Sequence, residues 1–426
     1  MNNKTLAQSA TSAAISPLNK GLGFFDEALD PAAIAARKWN LLREDLSLPS
    51  AVLYQDRLQH NLHWMQQFVT EYGVKLAPHG KTTMSPELFA MQMGAGAWGI
   101  TLATAQQTQV AYQHGVRRVL MANQLVGKEN MSILARLLED PSFDYYCLVD
   151  SAAQVDHLGT FFSQRSQRLN VLLELGVTGG RTGVRDESQL QSVLGALSNW
   201  ESSLLLCGVE IYEGVLEDES SIRALLKRAV AVTQRLAAEN RFRRAPALLS
   251  GAGSAWYDVV AEEFSSAALG DAVEIILRPG CYLTHDVGAY RTAQARIQQH
   301  NPIAHRMQAG LLPALQVWAY VQSIPEPTHA IIALGKRDAA FDAGLPTPAQ
   351  HFRPGSTTPQ TTPAHWLLTK MMDQHAYMQI EPGDDLRIGD MIAFDISHPC
   401  LTFDKWKTLP IIDGQYQVVD IVQTFF

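Results

Sequence analysis

Charge is sparse in this 426-residue chain: 18% of residues are charged, and 42 acidic side chains against 34 basic ones leave −8. That balance argues against a general nucleic-acid binder and against a polybasic membrane-surface protein. No stretch reaches the ~20 consecutive apolar residues that a membrane span needs. The opening MNNKTLAQSATSAAISPLNKGL lacks the apolar core of a secretory signal and reads as a loose tail. Cysteine is rare too. Cys147, Cys207, Cys281 and Cys400 lie far apart with no CxxC pair, the usage of reduced thiols in a cytoplasmic protein. Apolar residues, by contrast, make up 46%, which excludes a disordered chain. A chain this long can bury two or three domains without disulfides or structural metal.

From about residue 48 a pattern repeats. Apolar, β-branched runs end in polar or glycine-containing turns, and helical stretches follow. The runs are VKLAPHGK (74–81), WGITLAT (98–104), VLMANQLV (119–126), YYCLVD (145–150), LNVLLELG (169–176), LLLCGVEIY (204–212), APALLSGAG (245–253) and VEIILRPG (273–280). Continuous apolar runs mark strands buried on both faces, and strand–helix repetition implies parallel pairing. Eight units predict a (β/α)₈ barrel over 48–290, in preference to an open doubly wound sheet. The earlier run SLPSAVLYQDRL (47–58) is expected to lead into the first unit. After 290 the runs become short and alternating, which predicts an antiparallel β-domain over 291–426. Residues 1–47 are expected to form a tail and a segment packed on that β-domain.

Barrel chemistry sits at the C-terminal ends of the strands. The first run ends in Pro78-His79-Gly80-Lys81. A lysine is seldom buried unpaired, and one that sheds its proton in a barrel mouth is a Schiff-base nucleophile; the competing reading is a lysine that reaches solvent. The seventh run ends in Ser250-Gly251-Ala252-Gly253-Ser254 and the eighth in Arg278-Pro279-Gly280-Cys281. Small residues after the last two strands suit a phosphate held by backbone N–H groups, although tight turns use glycine as well. Arg181, among glycines after the fifth run, is placed to clamp a phenolate or carboxylate, or else forms a surface salt bridge. Tyr212 either lines the pocket or packs. Near the C-terminus, His398 and Cys400 stand two apart. In extended chain they would face one way, and imidazole with thiolate favours zinc; a buried His and a buried Cys would look the same. His375 is the nearest candidate for a third ligand or an acid–base group.

Taken together, PHGKTTMSPEL with GITLAT behind it, GGRTGV, LRPGCY and GDMIAFDISHPCLTFDKW resemble the family of D-serine dehydratases and low-specificity D-threonine aldolases. These are pyridoxal-phosphate enzymes of the alanine-racemase fold type. The resemblance runs from about residue 48 to the end and implies a barrel followed by a C-terminal β-domain. It also implies a homodimer with active sites near the subunit boundary. By motif, Lys81 resembles the lysine that carries the cofactor, with His79 beside it, and Arg181 the arginine near the phenolic oxygen. Ser250, Gly251, Gly253, Gly280 and Cys281 lie where the family holds the phosphate, and Tyr212 joins the cofactor-binding set. His398 and Cys400 match the metal pair of the dehydratase branch. Ala77 and Thr83 stand where the family often has Arg and His. The GGRTGV segment carries two extra residues relative to the family's shorter form. The implied activity is metal-assisted dehydration of a D-3-hydroxy amino acid such as D-serine to a 2-oxo acid and ammonia. The alternatives are an aldolase or racemase on the same scaffold, or a non-catalytic cofactor-binding protein.

Overall fold

The computed structural model describes residues 14–426; the first thirteen residues of the expected tail lie outside them. The run at 47–58 supplies strand β1 (Ser50–Tyr54) and the 17-residue helix Gln55–Glu71. Each of the eight later runs then forms a strand: β2 (Lys75–Leu76), β3 (Ile100–Leu102), β4 (Arg118–Gln124), β5 (Asp144–Val149), β6 (Leu169–Leu175), β7 (Leu204–Ile211), β8 (Ala247–Gly251) and β9 (Val273–Leu277). They pair in parallel in the order β2-β9-β8-β7-β6-β5-β4-β3. The ring closes where Trp98 N–H donates to Leu76 O at 2.7 Å and His79 bridges Thr101 in parallel. β2 is short because Pro78, two residues beyond it, brings no N–H to the ladder. The curled parallel sheet expected from the eight runs is therefore present.

Alternation along the strands divides the barrel's apolar residues into two layers. Leu120, Tyr146, Leu148, Leu172, Leu248 and Ile276 form one cluster inside the ring. Their neighbours, such as Val119, Tyr145, Val171 and Leu249, pack outward against the helices. This is the two-sided burial that continuous apolar runs announce.

The second sheet is built from β10 (Leu315–Glu326), β11 (His329–Ile332), β12 (Thr347–Phe352), β13 (Gln360–Thr361), β14 (Leu367–Met371), β15 (Ala376–Gln379), β16 (Met391–Asp395), β17 (Thr408–Ile412) and β18 (Val418–Gln423). All its pairings are antiparallel save one. That exception corrects an expectation. β1 does not lead a barrel strand: it lies mid-sheet, antiparallel to β10 (Ala51 opposite Val317) and parallel to β17 (Leu53 opposite Ile411). Only the helix after it joins the barrel, through Trp64, Met65 and Phe68. The segment before β1 packs on the same sheet, with Ile15, Leu22, Phe25, Ile34 and Trp39 clustered against Val52, Trp318 and Met391. No helix among the described residues is long and apolar enough to cross a membrane.

One buried carboxylate ties the hairpin edges of this sheet. Asp390, whose side chain is 3% exposed, accepts from His351 Nε2 at 2.8 Å, from Arg353 Nη2 at 2.9 Å and from Arg387 N–H at 2.9 Å. Burial pushes its pKa up, but the bonds from Arg353 and His351 outweigh it and hold the carboxyl below its usual range. A depressed carboxyl stabilises the fold fully above its unfolded value of about 3.9, and that contribution fades as pH falls through the folded value. Asp390→Asn should therefore cost about 2 kcal/mol at pH 7, with the gap to wild type narrowing below about pH 4. Urea midpoints at pH 7 and pH 3 check both halves of that expectation.

Candidate active site

The period of two along the strands carries the barrel interior upward into a polar layer. Two residues beyond Leu172, Leu248 and Ile276 come Glu174, Ser250 and Arg278. Arg278 is 3% exposed and pairs with the Glu210 carboxylate, itself 1% exposed. It also donates to Ile211 O at 2.9 Å and to Ser250 Oγ at 3.0 Å. Burial pushes Glu210 up to about 8, against the pull of Arg278. Glu174 is raised by burial as well, while Thr182 Oγ1 (2.6 Å) and the Gln124 amide donate to it. These groups make a buried, hydrogen-bonded floor.

Above the floor opens a cavity of about 240 Å³ between the strand ends and the β-domain. A larger hollow of about 450 Å³ lies at the opposite end of the barrel. Its charges are already spent on each other, Arg118 with Asp144 at 2.8 Å and Arg117 with Asp140 at 3.5 Å. The upper cavity differs in that two of its cations, Lys81 and Arg181, make no ion pair among the described residues. Lys81 follows β2 in the 3₁₀ turn Gly80–Thr82, and its amine has no hydrogen bond or ion pair among the described residues. Arg181 lies over the Tyr212 ring at 4.5 Å, also in the wall. His79 Nδ1 is sealed from solvent without a partner. Burial, then the charges of Lys81, Arg278 and Arg181, hold that imidazole well below its usual range and hence neutral.

The turns after β8 and β9 meet at this cavity. Gly280 N–H and Cys281 N–H both donate to Ser254 Oγ, at 3.1 and 3.0 Å. A Cβ on Gly280 would stand 2.7 Å from Thr82 Oγ1 and 2.8 Å from His79 O, so only glycine lets the turn after β9 approach the turn after β2 so closely. The Glu213 carboxylate, fully buried, accepts from Ala252 N–H (3.1 Å) and from Gly253 N–H, which sets the shape of the turn after β8.

The β-domain closes the cavity with His398 and Cys400. His398 Nδ1 is 2.8 Å from Asp342 Oδ2. Cys400 Sγ is 3.5 Å from Thr82 Oγ1 and 3.9 Å from Cys281 Sγ. Hydrogen bonds from Cys281, then His398 and Thr82, hold the Cys400 thiol well below its usual range, and the bond to Cys400, with Asp342 next, holds His398 above its own.

The structure thus brings together Lys81, His79, Arg181, Tyr212, Gly253, Gly280, Cys281, His398 and Cys400 around one cavity. Three expectations change. Ser250 and Gly251 do not reach it, because the β8 ladder still runs through them: Ser250 pairs beside Ile276 and belongs to the floor. His398 and Cys400 do converge, but not on extended chain. Pro399 is helical (φ −58°, ψ −46°) and Cys400 opens the short helix Cys400–Phe403, as a proline with fixed φ favours at a helix start. His375 is exposed in the turn between β14 and β15 and takes no part in the cavity wall. The side chains that the sequence reading missed are Thr82, Glu213, Ser254 and Tyr290. Thr82 sits beside Lys81 and Ser254 ends the glycine run, a signal available in hindsight; Tyr290 carried none.

The fold has counterparts. The family described as "Alanine racemase, N-terminal domain" matches residues 53–283, more than half of the chain, and "Putative serine dehydratase domain" matches residues 314–412. The chain belongs to the alanine-racemase-fold family of pyridoxal-phosphate enzymes. Within that family it is similar to D-threonine aldolase from Arthrobacter sp, 25% identical over 374 residues that span 86% of this chain and 89% of that one. It is also similar to D-threo-3-hydroxyaspartate dehydratase from Delftia sp. (strain HT23), 30% identical over 187 residues covering 43% and 48%. The crystal structure of D-threonine aldolase from Filomicrobium marinum superposes with a TM-score of 0.74 at 21% identity, over 91% of this chain and 97% of that one.

The residues present fit the family's cofactor. An amine without a partner stands at the cavity wall, and two backbone N–H groups converge on one hydroxyl in a cradle that a Cβ would fill. Phosphate oxygens suit those donors. His398 and Cys400 offer nitrogen and sulfur, donors of the kind that zinc takes. Among the described residues no three His, Cys, Asp or Glu side chains form a metal-binding group, so His398 and Cys400 stand as two donors. The floor carries a stability prediction. Arg278→Met should cost about 3–5 kcal/mol, because it leaves Glu210 buried without its partner. Arg243→Met, at the exposed pair with Glu201, should cost less than about 1 kcal/mol. Guanidinium denaturation of the two variants tests the contrast.

Proposed function

We propose that the protein is a lyase that eliminates water from a D-3-hydroxy amino acid, of which D-serine is one, to give a 2-oxo acid and ammonia. The observation that carries this reading is one cavity holding an unengaged lysine amine on the barrel side and an imidazole and a cysteine sulfur on the β-domain side. When bound, pyridoxal phosphate supplies an electron sink for charge at the substrate's Cα. Lys81 would hold it, with Gly280 N–H, Cys281 N–H and Ser254 Oγ on the phosphate. The Lys81 amine, at the cavity wall, would be the base for the α-proton. His79, kept neutral, does not compete for that proton. Arg181, packed on Tyr212, offers a fork of donors to an anionic oxygen. His398 and Cys400 would hold a zinc ion, which would supply Lewis acidity to a β-hydroxyl, a poor leaving group by itself. Asp342 fixes the orientation of the His398 ring through Nδ1.

An aldolase is the second reading, favoured by the longer of the two curated matches. The two reactions differ in the bond broken at Cβ. A panel of D- and L-3-hydroxy amino acids, assayed with and without chelator, should release 2-oxo acid and ammonia from D-isomers and fall silent when metal is removed. Glycine with an aldehyde would instead establish the aldolase, and the mirror-image amino acid without ammonia the racemase. No product from any member would leave a cofactor carrier. Cys400→Ala should lose bound zinc and ammonia release together; retention of both would overturn the metal's role.

We further propose a cytoplasmic homodimer. Val126, Val215, Phe341 and Leu401 are exposed apolar residues close in sequence to cavity-wall groups or strand ends, a pattern that suits a subunit interface. Sedimentation equilibrium should return twice the 47.0 kDa chain mass. A single-chain mass at micromolar concentration with full activity would contradict it.

A further inference from the structure

Of the four cysteines, two are out of reach of solutes and of each other. Cys147 is 0% exposed and Cys207 1%, and burial raises both thiols to about 12. The other two form a pair. Cys281 follows the last barrel strand, Cys400 opens a helix of the β-domain, and they are 119 residues apart in sequence. Their sulfurs lie 3.9 Å apart in van der Waals contact, both are free thiols, and both line the cavity. Cys400 is half-buried and Cys281 buried behind it, so a small solute entering the cavity meets Cys400 first.

We propose that Cys281 and Cys400 form a reversible disulfide when the protein meets a hydroperoxide, linking the barrel to the β-domain beside Lys81. A disulfide sulfur pair stands about 2.05 Å apart, so the present contact has to close by about 1.9 Å. The chemistry balances in two steps. Cys400 attacks one peroxide oxygen, the O–O bond breaks, and Cys400 sulfenic acid and one water result. Cys281 sulfur then displaces the sulfenic hydroxyl, which leaves as a second water with the Cys281 thiol proton. Each sulfur loses one electron and the peroxide gains two. The bond removes Cys400 from the cavity's donors and moves Cys281 at the phosphate turn, so oxidation blocks the site. Thiol reduction restores it. The pairing rests on sulfur geometry alone and stands whether or not the proposed dehydration is right.

The test uses the full-length holoprotein and hydrogen peroxide. Thiol titration in denaturant should fall from four per chain to two. Intact mass should drop by about 2 Da, and a non-reducing digest should contain one cross-linked peptide carrying Cys281 and Cys400. Dithiothreitol should reverse all three. In Cys281→Ser the cross-link should vanish and Cys400 should gain oxygen atoms instead. The proposal is overturned if all four thiols survive peroxide that oxidises a free-cysteine standard. It is equally overturned if Cys400 reaches sulfinic acid in the wild-type protein while Cys281 stays reduced, or if the cross-link joins two chains.

Discussion

The structure depends on a cation buried under the active site. Arg278 cannot shed its proton inside a protein, so the fold has to surround it with acceptors, and it does so from two other strands. Glu210 comes from β7, Ser250 Oγ from β8, and the Ile211 carbonyl completes the set. These bonds hold three consecutive strand ends in register where the ring would otherwise be loosest. They also fix the Gly280–Cys281 turn, which begins two residues after Arg278. Backbone N–H groups are only as well placed as the strands that present them, and here the placing is done from beneath.

The same layer sets the electrostatics of the cavity. The floor's guanidinium and the amine of Lys81 face His79, and together with burial they keep that imidazole neutral. The cationic character above the floor belongs to Lys81 and Arg181, both free of partners that would quench them. Across the gap, the β-domain brings the softer donors. Asp342 orients His398, and Pro399 turns the chain so that Cys400 points back toward Thr82 and Cys281. A cavity built this way has a cationic side on the barrel and a side of softer nitrogen and sulfur donors on the β-domain.

Much of this could be read in the sequence, and the failures have physical causes. The eight barrel strands were legible because burial on both faces leaves an unbroken apolar run, as in LNVLLELG. The same property misled at β1, whose five residues are all buried; an apolar run says that a strand is covered, not by which sheet it is paired. Lys81 and the two small-residue turns were legible because strand ends of a barrel are where such residues lack a structural excuse. Glu210 was not, because its partner Arg278 lies 68 residues away and a charged residue announces nothing of its partner. His398 and Cys400 were found by spacing but for the wrong geometry, since Pro399 favours a turn over the assumed extended chain. His375 fitted by proximity in sequence alone, and a hairpin tip carries it to the surface.

The central claim is that Lys81 carries pyridoxal phosphate in the cavity above Arg278. The direct measurement is borohydride reduction of the yellow holoprotein followed by peptide mapping. The account predicts a stable pyridoxyl adduct on Lys81 and a loss of the visible band, with no adduct in a folded Lys81→Ala. Recovery of the adduct on another lysine, or a protein that takes up no cofactor at all, would contradict it.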